Sequence, residues 1–242
     1  MKNKLFSQRL LHLFLPFLIL FLAGGIASYY WFSSRMDRTR YLLTWLRNPF
    51  QHPGWAITAL DSCPQAPFLF PSTGYIGYRW GDSFRPGHKH QGIDIFAAGK
   101  AGSTPVYAAY DGYLTRLPDW KASVIIRIPE DPLHPDRQIW TYYTHLADEN
   151  GKSFISDQFP PGSQDLFVEQ GDLLGYQGNH SGKAAKPVGV HLHFSIVKDD
   201  GQGHFMNELE MTNTLDPSPY LGLPLTSNHT LHPPTKCLNS DS

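Results

Sequence analysis

The sequence is poor in cysteine and poor in charge. Two cysteines in 242 residues exclude an array of cysteine-based zinc fingers. Charged residues make up only 17% of the chain and the net charge is −1, which excludes a polycation built to hold nucleic acid. With 41% hydrophobic and 14% aromatic residues, the composition also excludes intrinsic disorder. No internal repeat and no low-complexity tract is present. What the chain does have is glycine, proline and histidine. The 21 glycines and 20 prolines are about one residue in six, against an average near one in eight. That favours many turns, and so a β-rich fold over a helical bundle. Twelve histidines in so cysteine-poor a chain call for a chemical explanation.

The charge is unevenly placed. Residues 1–50 carry Lys2, Lys4, Arg9, Arg35, Arg38, Arg40 and Arg47 against the single acid Asp37, a local charge of +6 that leaves −7 for the rest. Leu10 to Phe32 is an almost unbroken apolar run, with His12 near its start. As a helix its 23 residues extend about 34 Å, enough to cross a hydrocarbon core of about 30 Å. Lys2, Lys4 and Arg9 flank it as cytoplasmic charges do, and Tyr29, Tyr30 and Trp31 stand where an aromatic belt belongs. Arg35, Arg38 and Arg40 beyond the span weaken the orientation signal. Two readings fit: an uncleaved transmembrane signal anchor, or a secretory signal peptide cut after Ala27 with Gly25 and Ala27 as its small residues. The expected organisation is a cytoplasmic basic tail over 1–9, the membrane segment over 10–32, a connector over 33–67, a catalytic domain over 68–223 and a polar tail over 224–242. Within the connector, Met36 to Leu46 suits a helix that ends at Asn48-Pro49.

The body reads as all-β. Ser123–Ile128 and Ile139–His145 are β-branched and aromatic runs. Val190–Val197 alternates, with Leu192, Phe194 and Ile196 on one face and His191, His193, Ser195 and Val197 on the other. Further strands are expected at Ile93–Phe96, Val106–Ala109, Tyr113–Arg116 and Leu173–Tyr176, with Asp111-Gly112 as a hairpin turn. Pro129–Pro135 and Ser156–Gly162 are proline-rich loops. Short strands at this spacing predict an antiparallel β-sandwich or barrel-like domain preceded by one N-terminal transmembrane helix.

Three small motifs carry chemistry. They are H-Q-G-I-D (His90, Gly92, Asp94), Y-T-H-L (Tyr143, His145) and G-V-H-L-H-F (Gly189, His191, His193). Imidazole and carboxylate are the ligands of a catalytic zinc where thiols are absent, and three protein ligands leave a position for water. Gly92 lets the backbone bend or approach closely so that His90 and Asp94 address one ion. His191 and His193 are two residues apart on a strand, roughly 7 Å, which suits one ligand and one neighbour rather than two ligands. Taken singly, each motif is an ordinary feature: a polar strand face, a chance spacing, a satisfied histidine. Their conjunction in one order, with glycines and apolar backing residues in place, is specific.

Over roughly Gly74–Tyr220 the sequence resembles the lysostaphin/LytM-type zinc endopeptidases, the murein hydrolases of bacteria. Besides the three motifs, the resemblance rests on P-V-Y-A-A-Y-D-G (Pro105–Gly112), V-E-Q-G-D-L-L-G (Val168–Gly175) and D-P-S-P-Y-L (Asp216–Leu221). It implies that His90, Asp94 and His193 hold one Zn2+ and that His145 and His191 form a catalytic pair beside it, sharing the roles of proton acceptor and oxyanion donor. It implies hydrolysis of peptide cross-links in peptidoglycan by a metal-activated water. Non-catalytic wall binding that regulates another hydrolase, or extracellular zinc proteolysis of proteins and peptides, are the competing functions. The loops Pro129–Gln138 and Asn150–Gly162 are longer than a minimal version would need. Tyr143, Asn179 and His180 are candidate substrate contacts, and His88 a candidate neighbour of the first motif. His12, His52, His134, His204, His229 and His232 are expected to be structural or solvent-exposed.

Cys63 and Cys237 flank the expected catalytic domain. Outside the cytoplasm oxidation is permitted, and a bond between them would close a loop worth about 4–5 kcal/mol in the chain-entropy model; otherwise both are free thiols. The expected location is the cell membrane, single-pass with an extracytoplasmic body, or the exterior after signal cleavage, with peptidoglycan and the membrane as partners and no nucleic acid.

Overall fold

The computed structural model describes residues 17–26, 28, 39–82, 87–183, 185–226, 233 and 235–238. The chain divides into two units, Met1–Leu43 and Thr44–Ser242. In the first unit, residues 17–26 are helical with every side chain exposed. Among the described residues no helix is long and apolar enough to cross a membrane. Much of the expected span over 10–32 lies outside those residues, as do His12, His229 and His232.

Among the described residues the second unit has ten strands: β1 (Tyr75–Tyr78), β2 (Ile93–Phe96), β3 (Pro105–Tyr107), β4 (Gly112–Thr115), β5 (Val124–Ile128), β6 (Ile139–Thr144), β7 (Leu166–Val168), β8 (Leu173–Tyr176), β9 (His191–Lys198) and β10 (Thr214–Leu215). One short helix, α1 (Ser218–Leu221), follows. The large sheet has the order β1-β2-β9-β6-β5-β4-β7, with β10 also paired to β9, and β3 and β8 form a second, two-stranded sheet. Every strand pairing is antiparallel.

Alternation explains which face of the large sheet is the core. Ile93 and Ile95 of β2, Val124, Ile126 and Ile128 of β5, Ile139 and Tyr143 of β6, and Leu192, Phe194 and Ile196 of β9 share one buried cluster. Val106 of β3 and Leu174 of β8 join it from the small sheet, which gives the sandwich-like layering. Ile57 and Cys63 from the connector range, and Leu225 from the tail range, lie in the same cluster. The opposite face of the large sheet carries Asp94 and Phe96 on β2 and His191 and His193 on β9. Part of that face has its own apolar cover, where Ile125, Trp140, Tyr142 and Val197 pack under Trp120, Phe205 and Met206.

Two expectations are corrected here. Asp111-Gly112 is not a hairpin turn, because β3 pairs with β8 while β4 pairs with β5 and β7. The dipeptide is instead the crossing between the two sheets. Gly112 is required there because a Cβ would stand 2.4 Å from the carbonyl oxygen of Arg127. The run ending at His145 also stops being a strand one residue earlier. β6 ends at Thr144, and His145 turns away with φ of 72°.

Candidate metal centre

The centre is assembled where β2 and β9 lie side by side. Their register pairs Asp94 with His193 and Phe96 with His191. Gly92 makes that pairing possible, since a Cβ at this position would lie 2.2 Å from the carbonyl oxygen of Phe194 on β9. The glycine of H-x-G-x-D therefore serves close strand approach. His90 arrives on the loop before β2 and is held by its backbone: Gly81 N–H donates to the His90 carbonyl (2.8 Å), and His90 N–H donates to the Asp82 carbonyl (2.6 Å). Asp82 in turn accepts from the backbone N–H of Arg79 (2.8 Å).

Three donor atoms converge. His90 Nε2 lies 3.1 Å from Asp94 Oδ1 and 3.0 Å from His193 Nδ1, and His193 Nδ1 lies 2.9 Å from Asp94 Oδ1. These residues are the group among the described residues that could hold a metal ion. The fit can be tested on chemistry. His90 Nδ1 faces the Arg79 carbonyl at 3.1 Å, an acceptor only, so Nδ1 carries the proton and Nε2 presents a lone pair. Ligands about 2.0–2.1 Å from one tetrahedral ion are separated by about 3.3 Å, close to the triangle found here. Lone pairs gathered at that spacing, two from imidazole and one from carboxylate, suit a divalent cation.

The electrostatics agree. Burial alone would raise the Asp94 carboxyl, but His90, His191 and His193 around it hold it well below the usual carboxylate range. Burial pulls His90 down, and Asp94 beside it more than reverses this, so its pKa is raised. His193 is lowered, chiefly by burial.

Two more histidines stand next to the triangle. His145 and His191 have ring centroids 4.3 Å apart. His145 Nδ1–H donates to the His180 carbonyl (2.6 Å), and His191 Nδ1–H donates to the Gly189 carbonyl (2.6 Å). Both rings are thereby fixed with Nε2 as the free, proton-accepting atom. Burial pushes His145 down to about 3, so it is neutral at ordinary pH. His191 Nε2 is 3.7 Å from Asp94 Oδ1, outside the tight triangle, as strand spacing requires.

The remaining sequence candidates separate. Asn179 and His180 lie beside the pair. Gly178 bridges His191, the His180 carbonyl holds His145, and the buried atoms Asn179 Oδ1 and His180 Nδ1 have no partner. Tyr143 does not reach substrate. It is fully buried on the core face, its hydroxyl accepts from Ala109 N–H (2.9 Å), and burial pushes its pKa up to about 12. The alternation of β6 puts Thr144, not Tyr143, on the face of Asp94 and His193. Cys63 and Cys237 are joined by a disulfide. His52 stacks on Trp55, and His204 pairs with Asp200 at the surface. His88 is half-buried one residue from Lys89 and two from His90, and His134 is exposed in a turn.

Phe96 was not singled out from sequence. It stacks on His191 with centroids 4.9 Å apart. Strand alternation carries the signal: Phe96 is two residues beyond Asp94 and shares its face. The Arg79 and His180 carbonyls act through backbone atoms, for which side-chain identity gives no signal.

No family model matches the chain, and no curated protein matches it. Many of the solved structures it is similar to are lysostaphin/LytM-type peptidase domains. The catalytic domain of the antimicrobial peptidase lysostaphin from Staphylococcus simulans is 20% identical, with a TM-score of 0.39, over 61% of this chain and 90% of that one. LytU is 23% identical, with a TM-score of 0.38, over 66% and 87%. The catalytic domain of the prophage-encoded M23 protein EnpA from Enterococcus faecalis is 21% identical, with a TM-score of 0.35, over 62% and 95%.

Proposed function

We propose that the protein is a zinc-dependent endopeptidase that hydrolyses peptide cross-links of bacterial peptidoglycan. The observation that carries this reading is the convergence of His90 Nε2, Asp94 Oδ1 and His193 Nδ1 within 3.1 Å beside two histidines whose Nε2 atoms are free. His90, Asp94 and His193 would hold the ion. Zinc bound there would supply Lewis-acid polarisation of a peptide carbonyl and acidification of a water. The chain's own part is proton handling. His145 and His191 each present an Nε2 lone pair to the centre; one takes the proton of the attacking water and, carrying it, donates first to the developing oxyanion and then to the leaving amine. Phe96 and the Gly189 carbonyl hold His191 in place for this. The expected location outside the cytoplasm is supported by the disulfide and by the apolar run over Leu10–Phe32.

The test is a zymogram on purified wall together with a metal assay. Clearing that a chelator abolishes and zinc restores supports the proposal. Binding without clearing points to a regulator of another hydrolase, and cleavage of proteins but not wall points to a general extracellular protease.

A further inference from the structure

The outer face of the large sheet continues past the metal ligands into a patch made of oxygen atoms. Thr144 on β6 is the register partner of His193 on β9, so its side chain lies next to a metal ligand on the same face. Its Oγ1 is 2.7 Å from Ser123 Oγ, and Ser123 Oγ is 3.0 Å from the Tyr142 hydroxyl. Ser123 and Tyr142 are buried, whereas Thr144 is half-buried, so the hydroxyl cluster opens at the end beside the centre. Segment 206–209 forms one wall. Met206 packs on the Trp140–Tyr142 cluster, and the Leu209 carbonyl accepts from Gln91 Nε2 (2.6 Å). Glu208 belongs to this segment, between Met206 and Leu209, and its negative charge adds to burial in raising the Tyr142 phenol, so the carboxylate is within electrostatic range of the hydroxyls. Glu208 has no ion pair among the described residues. The other wall is the Trp120 indole, edge-on to Tyr142 at 5.6 Å and half-exposed. The nearest lysine in sequence, Lys121, turns the other way: its Cδ stands 3.0 Å from where a Cβ of Gly151 would be, on the side of His180.

Hydroxyl and carboxylate oxygens that accept, together with an indole and with no cation among them, form the set that recognises an alkylammonium group, which only donates. We infer that this patch is a specificity subsite for a substrate residue bearing a protonated amine, next to the scissile bond. The inference rests on the endopeptidase reading for what it serves, but not for whether it binds. Phe96 and Tyr78 occupy the other flank of the centre, 6.0 Å apart. The two sides of the scissile bond therefore meet different chemistry, aromatic on one side and anionic on the other.

The experiment uses the zinc-loaded full chain and two probes, Nα-acetyl-lysinamide and its Nε-acetylated counterpart. Binding is followed by NMR at the Trp120 indole N–H, assigned with Trp120→Phe. The free amine should bind about tenfold more tightly than the acetylated probe. Glu208→Gln should abolish that ratio, and Thr144→Val should reduce it several-fold, each with zinc content unchanged. Equal binding of the two probes, no shift at Trp120, or an undiminished ratio in Glu208→Gln would overturn the subsite. A parallel assay compares clearing of native and amine-acetylated wall. If the probes discriminate but native wall is not cleared, the subsite stands and the endopeptidase reading falls. If wall is cleared with the same rate before and after acetylation, the reading stands and the subsite falls.

Discussion

His145 leaves its strand with φ of 72°, a conformation that costs a non-glycine residue of order 1 kcal/mol or more and persists only when its surroundings impose it. The bond from its Nδ1–H to the His180 carbonyl is what the turn achieves, for it aims Nε2 toward the centre. Replacing His145 by Ala should leave zinc content intact and lower turnover by roughly 10²–10⁴-fold, the usual range for a proton-transfer group. Asp94→Ala or His193→Ala should lose zinc and activity together. Elemental analysis paired with wall clearing separates the two classes, and a fully active His145→Ala protein would remove His145 from the mechanism. The same residue has a signature in stability. Its imidazole titrates near 6.5 when unfolded and at about 3 when folded, so between those values the unfolded chain binds more protons. Stability of the metal-stripped protein should fall as the pH is lowered through that window. Denaturant titrations at pH 7 and pH 5 should show the loss, and His145→Gln should show less of it. Tyr143 provides the contrasting case. Tyr143→Phe should cost about 0.5–1.5 kcal/mol for the lost bond to Ala109 and leave KM unchanged.

Two glycines govern how the elements meet. At Gly92 a Cβ would force β2 away from β9 and break the Asp94–His193 register. At Gly178 it would stand 2.0 Å from the Ala147 carbonyl oxygen and 2.5 Å from that of His145. Segment 178–180 runs beside both His145 and His191: Gly178 accepts from His191 N–H (3.2 Å) and His180 accepts from His145 Nδ1–H. Gly92→Ala should therefore weaken zinc binding and stability together, whereas Gly178→Ala should spare zinc content and depress turnover. Zinc titration and thermal melts on the two variants check the distinction, and equal zinc loss in both would refute it. These elements also show what the sequence could disclose. β2 and β8 lie at Ile93–Phe96 and Leu173–Tyr176, where hydrophobic pattern places them, because their alternation or apolar content is strong. β1 and β7 carry glycine, tyrosine or exposed apolar residues with no clean period, and only pairing to β2 and β4 defines them as strands. The donor triangle is visible in spacing and residue type. The carbonyls that set the tautomers of its neighbours are not, since any residue supplies one, and the hydroxyl patch depends on β5–β6 register and on a distant wall at 206–209.

At the scale of the whole molecule, the near-zero net charge sums a basic N-terminal piece and an acidic body, and the acidic body is closed by a covalent bond. The disulfide joins Cys63, which lies in the core, to Cys237 across 174 residues of sequence. Loop-closure entropy for that length is about 5 kcal/mol, comparable to the total stability of many small domains. The bond also anchors the exit of the chain near Gly222, where Leu238 N–H donates to the Gly222 carbonyl (2.8 Å). Three residues beyond Gly222 Leu225 accepts from Trp80 N–H (3.0 Å), and Trp80 follows Arg79, whose carbonyl fixes the His90 ring. Reduction should thus act on stability first and on the metal centre second. Thermal melts with and without reductant should show a large fall in Tm for the native protein. Cys63→Ser should have the lowered Tm without reductant and no further response to it. Zinc affinity, measured by chelator competition at a temperature where the reduced protein remains folded, should fall by a smaller factor. A native protein whose Tm ignores reductant, while thiol titration shows the bond to have been opened, would mean that the packing of Leu223 and Leu225 alone secures the exit of the chain.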